Sequence, residues 1–398
     1  MAMARGRSDD GTRAVKRRKQ QKRLYVLVDD WERGYSVQKL DTDAMDADDD
    51  SISNLNEIKP TRFRDPPVAR MEAQHARSWS FVAHGTKIFA MQPNNSSPAI
   101  PALDVATLST AICPWPPCRC DFGRPLFVSL AGKIFLFLSL HTYYIDISTS
   151  SSKAAAAAMP ASWTTIHERL PFAVTQVSSY ATHPDGRTLF VSAGARAYPD
   201  PDQRQRHGTF SFDAGILQWT HHGEWLLPFE GQAFFDRALG GGAWVGLCRI
   251  DHDNGGATAG RLCCCDVVDP NSGSTATPAP RTKLLEEKLF DKAGPGLPTL
   301  HVGATLVSMG GRGEFCLVES RMHDDVRDML RDYYPREQLD WRALSRRVLR
   351  VTVFRLGFDE ATGALRVVSR RRTRRAAKVF RQAHCWGGPS LDPIVFWI

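Results

Sequence analysis

Six times along this chain an apolar, strand-like run ends in an aspartate and a small polar turn, and a second short run follows. The copies span 37–41, 100–104, 144–146, 210–213, 262–266 and 353–359, ending at Asp41, Asp104, Asp146, Asp213, Asp266 and Asp359. Each is preceded by a Gly-rich or basic turn that opens another apolar run, at 23–28, 85–91, 132–138, 186–191, 242–248 and 313–318. Two kinds of punctuation recurring equally often in the same order imply six copies of one supersecondary unit.

The copy around residues 178–221 shows the logic. Runs at 178–183 and 188–193 flank Pro184, Asp185 and Gly186. In such a turn proline fixes φ, aspartate accepts bonds from backbone amides, and glycine tolerates positive φ. After a polar loop, runs at 209–212 and 217–221 flank a second turn at Asp213, completing a four-stranded meander. The preceding copy, at 126–130, 133–138, 142–147 and 163–167, keeps the phase: its Trp163-Thr164 corresponds to Trp219-Thr220. The repeated aspartates read as turn-formers whose carboxylates satisfy amides beyond the third strand, not as ligands.

Successive aspartates mostly lie farther apart than the about 40 to 50 residues of a compact propeller repeat. The excess falls in an acidic connection at 41–50, an Ala and Ser tract at 148–158, and an insert at 321–347. There Val326, Met329, Leu330 and Tyr333 recur at helical spacing, which predicts a helical insert. The first copy lacks its own first strand, and the apolar run 394–398 supplies one. The fold expected is therefore all-β, a six-bladed β-propeller closed by its N- and C-terminal strands. Seven blades follow instead if 54–73 hides a degenerate unit.

Residues 1–22 read as a disordered basic tail, and 23–398 as a single propeller domain. The formal net charge of +8 is concentrated in that tail and in 369–381, so the remainder is net acidic. That argues against a general nucleic-acid-binding face. Nothing reads as a membrane span or a secretory signal, which predicts a protein of nucleus or cytoplasm. The nine cysteines form an odd set, expected as free thiols. In 262–266, alternation puts Cys264 on the opposite face from Cys263 and Cys265.

Chemistry is harder to find. The chain carries no nucleophile elbow, P-loop, zinc-protease helix or kinase set. Cys113, Cys118 and Cys120 lack a second closely spaced pair for zinc, so no metal and no cofactor is expected. Adjacent His221 and His222 point to opposite faces of a strand. Asp29, Asp30 and Glu32 read as a solvated turn, and Arg370–Arg375 with Lys378 as an outer strand or the loop after it. Two sets are candidate sites. Trp31, Arg33, Tyr35, Trp225 and Trp386 lie where strands give way to loops and are of the types that dominate interface hot spots. Lys16, Arg17, Arg18 and Lys19 match a nuclear import cluster.

The stretch Arg23-Leu24-Tyr25-Val26-Leu27-Val28-Asp29-Asp30-Trp31-Glu32-Arg33-Gly34-Tyr35-Ser36 resembles the opening signature of the plant family called domain of unknown function 1668, expanded in grasses. Segments 83–88, 183–190, 223–229 and 262–266 are similar to it as well. The resemblance implies a kelch-like propeller and carries over no activity or catalytic residue. The function expected is a non-enzymatic scaffold, monomeric, binding an unidentified protein partner through loops at one face. The alternative is a hydrolase acting on a sugar or small ester at the propeller channel. Two carboxylates, or a His and an Asp, within hydrogen-bond reach on inward-pointing loops beside a deep axial pocket favour the enzyme; a flat face rimmed by Trp and Arg favours the binder.

Overall fold

The computed structural model describes residues 22–31, 34–42, 66–72, 80–91, 99–117, 125–138, 141–147, 162–194, 206–249, 258–272, 277–290, 301–322, 346–379 and 392–398. These residues are all-β, in six four-stranded antiparallel units. Unit 1 contains β1 (Leu24–Trp31), β2 (Gly34–Leu40) and β3 (Ala69–Glu72). Unit 2 is β4 (Ser80–His84), β5 (Lys87–Met91), β6 (Ala99–Asp104) and β7 (Ser109–Pro114). Unit 3 is β8 (Leu126–Leu130), β9 (Lys133–Phe137), β10 (Thr142–Asp146) and β11 (Thr164–Ile166). Unit 4 is β12 (Val177–Thr182), β13 (Thr188–Ala193), β14 (Gly208–Asp213) and β15 (Gln218–Gly223). Unit 5 is β16 (Phe229–Asp236), β17 (Ala243–Cys248), β18 (Leu262–Asp266) and β19 (Thr282–Leu284). Unit 6 is β20 (His301–Ser308), β21 (Glu314–Met322), β22 (Arg346–Phe358) and β23 (Leu365–Val379).

The missing strand of unit 1 comes from the far end of the chain, as the sequence suggests. Strand β24 (Ile394–Trp397) pairs antiparallel with β1, Leu24 facing Trp397 and Leu27 facing Ile394. Units 4 and 5 fuse into one eight-stranded sheet because their first strands, β12 and β16, pair in parallel from Ser179↔Gly231 to Ala181↔Ala233. Within 54–73 the described residues yield only β3, the outer strand of unit 1. The predicted insert boundaries need correcting. Strands β21 and β22 take both ends of 321–347, pairing to Met322↔Arg347, and 323–345 lie outside the described residues, as do 1–21.

Local chemistry explains the turns. The two-residue hairpin between β8 and β9 holds Ala131 at φ 50° and Gly132 at φ 74°, the left-handed pair that matches the twist of the flanking strands. In units 2, 4 and 6 the third strand ends in the expected aspartate turn. Asp104 accepts the amides of Ala106 and Thr107, Asp213 those of Gly215 and Ile216, and Asp359 those of Ala361 and Thr362. In each, the residue four positions on donates its amide to the aspartate carbonyl and sits left-handed: Leu108, Leu217 and Gly363. Units 1, 3 and 5 have long connections at this point, and Asp41 instead pairs with Arg23 at 2.9 Å. The same residue thus caps a turn only where the turn is tight enough to present its amides.

Alternation along the strands gives every sheet two apolar faces. Cluster after cluster of buried side chains joins one unit to the next. Tyr25 and Val37 pack on Ile88 and Leu103 of unit 2; Phe89 and Ile100 on Ile134 and Tyr143 of unit 3. Phe135 and Phe137 pack on Phe210 and Phe212 of unit 4, and Phe190 on Phe229 and Trp244 of unit 5. Val245 and Leu262 meet Phe315 and Phe354 of unit 6, and Val318 and Leu349 meet Leu24, Val26 and Val395 of unit 1. The cysteine run follows the expected alternation, with Cys264 between units 5 and 6 and Cys263 and Cys265 between units 4 and 5.

Candidate functional site

A cavity of about 830 Å³ is lined by residues of β4, β8, β12, β16, β20 and β24, the first strand of every unit. Its volume is that of a small-molecule site. The walls are mixed. Phe81, Val82, Phe127, Val128 and Ile394–Phe396 supply apolar surface, while Ser129, Glu230, Gln232, Arg261, His301 and Asp392 bring polar groups. Tyr180 donates to Gln232 Oε1 at 3.3 Å, and burial pushes its phenol up to about 12. His84 Nδ1 meets Ser129 Oγ at 2.8 Å, and burial, with Lys87 nearby, holds that imidazole below its ordinary pKa against Asp146.

The most organised polar group is at the start of β20. His301 Nδ1 lies 3.1 Å from Glu319 Oε1, and the two residues are 8% and 3% exposed. Arg321 Nε and Arg350 Nη1 stand 3.7 and 3.9 Å from the same carboxylate, and the Phe290 ring stacks on the imidazole at 4.4 Å. A buried carboxylate needs such partners. In the neutral imidazole, donation from Nδ1–H to Glu319 makes Nε2 the basic nitrogen. The arrangement is chemically able to take and return a proton. Sequence reasoning missed it, although Glu319 interrupting the apolar run 315–318 was a usable signal, since a charge inside a core strand implies a partner.

The predicted interface residues scatter. Trp31, half-buried at the end of β1, carries the Arg70 guanidinium over its ring at 5.4 Å. Tyr35 is in the core between units 1 and 2, 3% exposed and edge-on to Phe81 at 5.1 Å, with no ring surface turned outward. Trp225 packs against the cluster between units 4 and 5 and donates its indole N–H to the Thr277 carbonyl at 2.7 Å. Arg33 and Trp386 lie outside the described residues, as do Lys16, Arg17, Arg18 and Lys19.

Three further expectations meet the structure. Asp29 is no solvated turn: it lies inside β1, 4% exposed. It lies within range of the charge on Arg347 of the neighbouring unit. Burial pulls that guanidinium down to about 10, while Asp29 and Tyr35 pull it back up. Arg370–Arg375 and Lys378 do fall on an outer strand, β23, with Arg370 Nη2 3.9 Å from Glu287. His222 is buried with Nε2 2.8 Å from Ser211 Oγ, while its neighbour His221 packs on Phe210.

The family model described as Protein of unknown function (DUF1668) matches residues 21–376. The chain belongs to the DUF1668 family. That match takes in every strand but β24 and the end of β23. No curated protein matches this DUF1668 chain. Among solved structures it is similar to the periplasmic gluconolactonase PpgL of Pseudomonas aeruginosa, at 11% identity over 91% of this chain and 99% of that one, TM-score 0.38. The Pan2 WD40 domain of Neurospora crassa is similar at 10% identity over 72% and 69%, TM-score 0.33. Likeness at this level carries no activity to the DUF1668 chain. No helix among its described residues is long and apolar enough to cross a membrane.

Proposed function

We propose that the six units close into a six-bladed, kelch-like β-propeller that serves as a monomeric, non-enzymatic scaffold for a protein partner. Two observations support the ring: buried clusters link each unit to the next, including unit 6 to unit 1, and the first strands of all six line one cavity. Antiparallel meanders send their second-to-third loops and their unit-to-unit connections to the same end. The observation that carries the binding reading is the Trp31–Arg70 pair at that end. A half-buried tryptophan stacked by arginine is the residue chemistry of an interface anchor.

Proximity labelling in cells with the intact protein, a Trp31→Ala, Arg70→Ala variant and an Arg187→Ala variant at the opposite end tests this. Partners lost only from the first variant support the scaffold; a labelled set indifferent to both removes it. Nuclear import through Lys16, Arg17, Arg18 and Lys19 is read out in the same cells, because alanine at all four leaves the protein cytoplasmic if the cluster acts.

A second reading is favoured by one specific observation, the His301–Glu319 pair, whose His301 lines the cavity. It supports hydrolysis of a small ester or sugar ester by a general base. Turnover of such a panel by the full chain, abolished by His301→Ala and by Glu319→Gln, would establish it; absence of turnover leaves the scaffold.

A further inference from the structure

The first strand of unit 5 departs from the pattern of the others. Strands β4, β8 and β24 pair with their second strands residue for residue. Between Glu230↔Leu247 and Phe234↔Val245, β16 advances four positions while β17 advances two, so two extra residues bulge from the ladder. The displaced stretch pairs with β12 of unit 4 instead, Tyr180 facing Gln232. Gly231 makes the bend possible, at φ 75° with open space where a Cβ would stand. Backbone conformation, not crowding, therefore demands the glycine. A glycine inside a strand marks a bulge or a place where a ligand approaches the backbone, and bulges re-aim side chains beside functional sites.

The side chains re-aimed here are Glu230 and Gln232. With Gly231 they form three consecutive exposed residues, whereas no other described first strand has any, and all three line the cavity. Gln232 Oε1 accepts the Tyr180 hydroxyl at 3.3 Å, which orients the amide and leaves its N–H donors to serve another group. Beside it, the Glu230 carboxylate is an acceptor. Hydroxyl groups satisfy a neighbouring donor and acceptor together, because they both accept and donate. An ammonium would leave the amide donors unmet, and an anion would be repelled by Glu230. Arg261, the cation on the same wall, is engaged by the Leu285 and Glu286 carbonyls. Elsewhere the wall carries the Phe81, Phe127 and Phe396 rings, a surface for the flat face of an aromatic ring.

We propose that Glu230 and Gln232, with Tyr180 as positioning residue, form a binding site for a small uncharged aromatic compound with hydroxyls along one edge, of the dihydroxybenzene class. Its hydroxyls donate to Glu230 and accept from Gln232, and its ring packs on the phenylalanines. The site requires neither a protein at the Trp31 end nor turnover at His301, so its test is independent of both.

The experiment is saturation-transfer NMR on the full chain with resorcinol, 1,3-dimethoxybenzene, benzoate and benzylamine. Resorcinol is expected to bind at least about fivefold more tightly than each of the other three, the effect of one hydrogen bond. Glu230→Ala and Gln232→Ala should each weaken resorcinol at least about fivefold. Both side chains are exposed, so melting is expected to stay unchanged, which separates lost binding from lost folding. Arg187→Ala, at the opposite end, should leave resorcinol binding as it is. Resorcinol held no more tightly than benzoate or benzylamine overturns the hydroxyl pairing. Binding that survives both cavity variants, or no saturation of resorcinol at about 10 mM, overturns the site.

Discussion

In unit 4 the four strands follow one another over Val177–Gly223, whereas unit 1 takes its first strand, Ile394–Trp397, from the other end of the chain. The strand pairing is alike in both; what secures it differs. Unit 4 has local devices at each turn. Asp185 accepts the amides of Arg187 and Thr188 and the Thr188 hydroxyl, which outweigh burial and hold its carboxyl below the usual range. Asp213 repeats the device at the next turn. In unit 1 the corresponding Asp41 bonds Arg23 on an exposed surface, and the first strand, β24, joins the sheet through its long-range pairing with β1. A repeat can keep its geometry while exchanging local for long-range support.

Removing 394–398 is the severest way to break the comparison. It strips the partner from β1 and uncovers Leu24, Tyr25, Val26 and Leu27, each at most 5% exposed. At about 1.5–3 kcal/mol for each fully buried apolar side chain, the loss exceeds about 5 kcal/mol. We expect no cooperative melt and aggregation on gel filtration. Phe212→Ala comes next. Phe212 is fully buried and its ring sits 5.3 Å from both Phe135 and Phe137, so chemical denaturation should show a loss of about 3–5 kcal/mol, shared by units 3 and 4.

The aspartates give the sharpest contrast at lower energy. Asp213→Ala removes the carboxylate that accepts two backbone amides and should cost about 1–2 kcal/mol, whereas Asp41→Ala removes an exposed ion pair worth about 0–1 kcal/mol. Equal losses would mean that the turn bonds contribute nothing special. Acid supplies the mildest test. Burial, with His221 nearby, holds His222 of unit 4 below the ordinary 6.5, against the Ser272 backbone carbonyl and the charge of Asp269. The unfolded chain then binds the proton more readily, so this contribution is complete above pH 6.5 and fades as pH falls below it. Unit 1 has no histidine among its described residues. Hydrogen exchange at pH 5.5 should accelerate in β14 and β15 more than in β1.

The strands of units 3 and 4 were legible almost to the residue, because alternation, turn glycines and aspartates are local signals. The pairing of 394–397 with 24–27 was legible for another reason: the first copy had one strand too few. Side-chain exposure was not legible. Asp29 is buried within range of the charge on Arg347 of unit 6, Tyr35 lies under Phe81 of unit 2, and Trp225 is half-buried with its indole on the Thr277 carbonyl. Each depends on a neighbour that no short window contains. The His301–Glu319 pair was missed for the same reason, since its members approach only after the sheet has formed.

Pairing Leu24–Leu27 with Ile394–Trp397 also imposes an order of events during synthesis. The edge of β1 leaves the ribosome early, yet roughly 370 residues must be added before its partner exists, and at about 5–20 residues per second that takes about 20–70 s. For that interval an apolar, unpaired strand edge stands open to any other nascent chain, so unit 1 is where a holdase would be needed most.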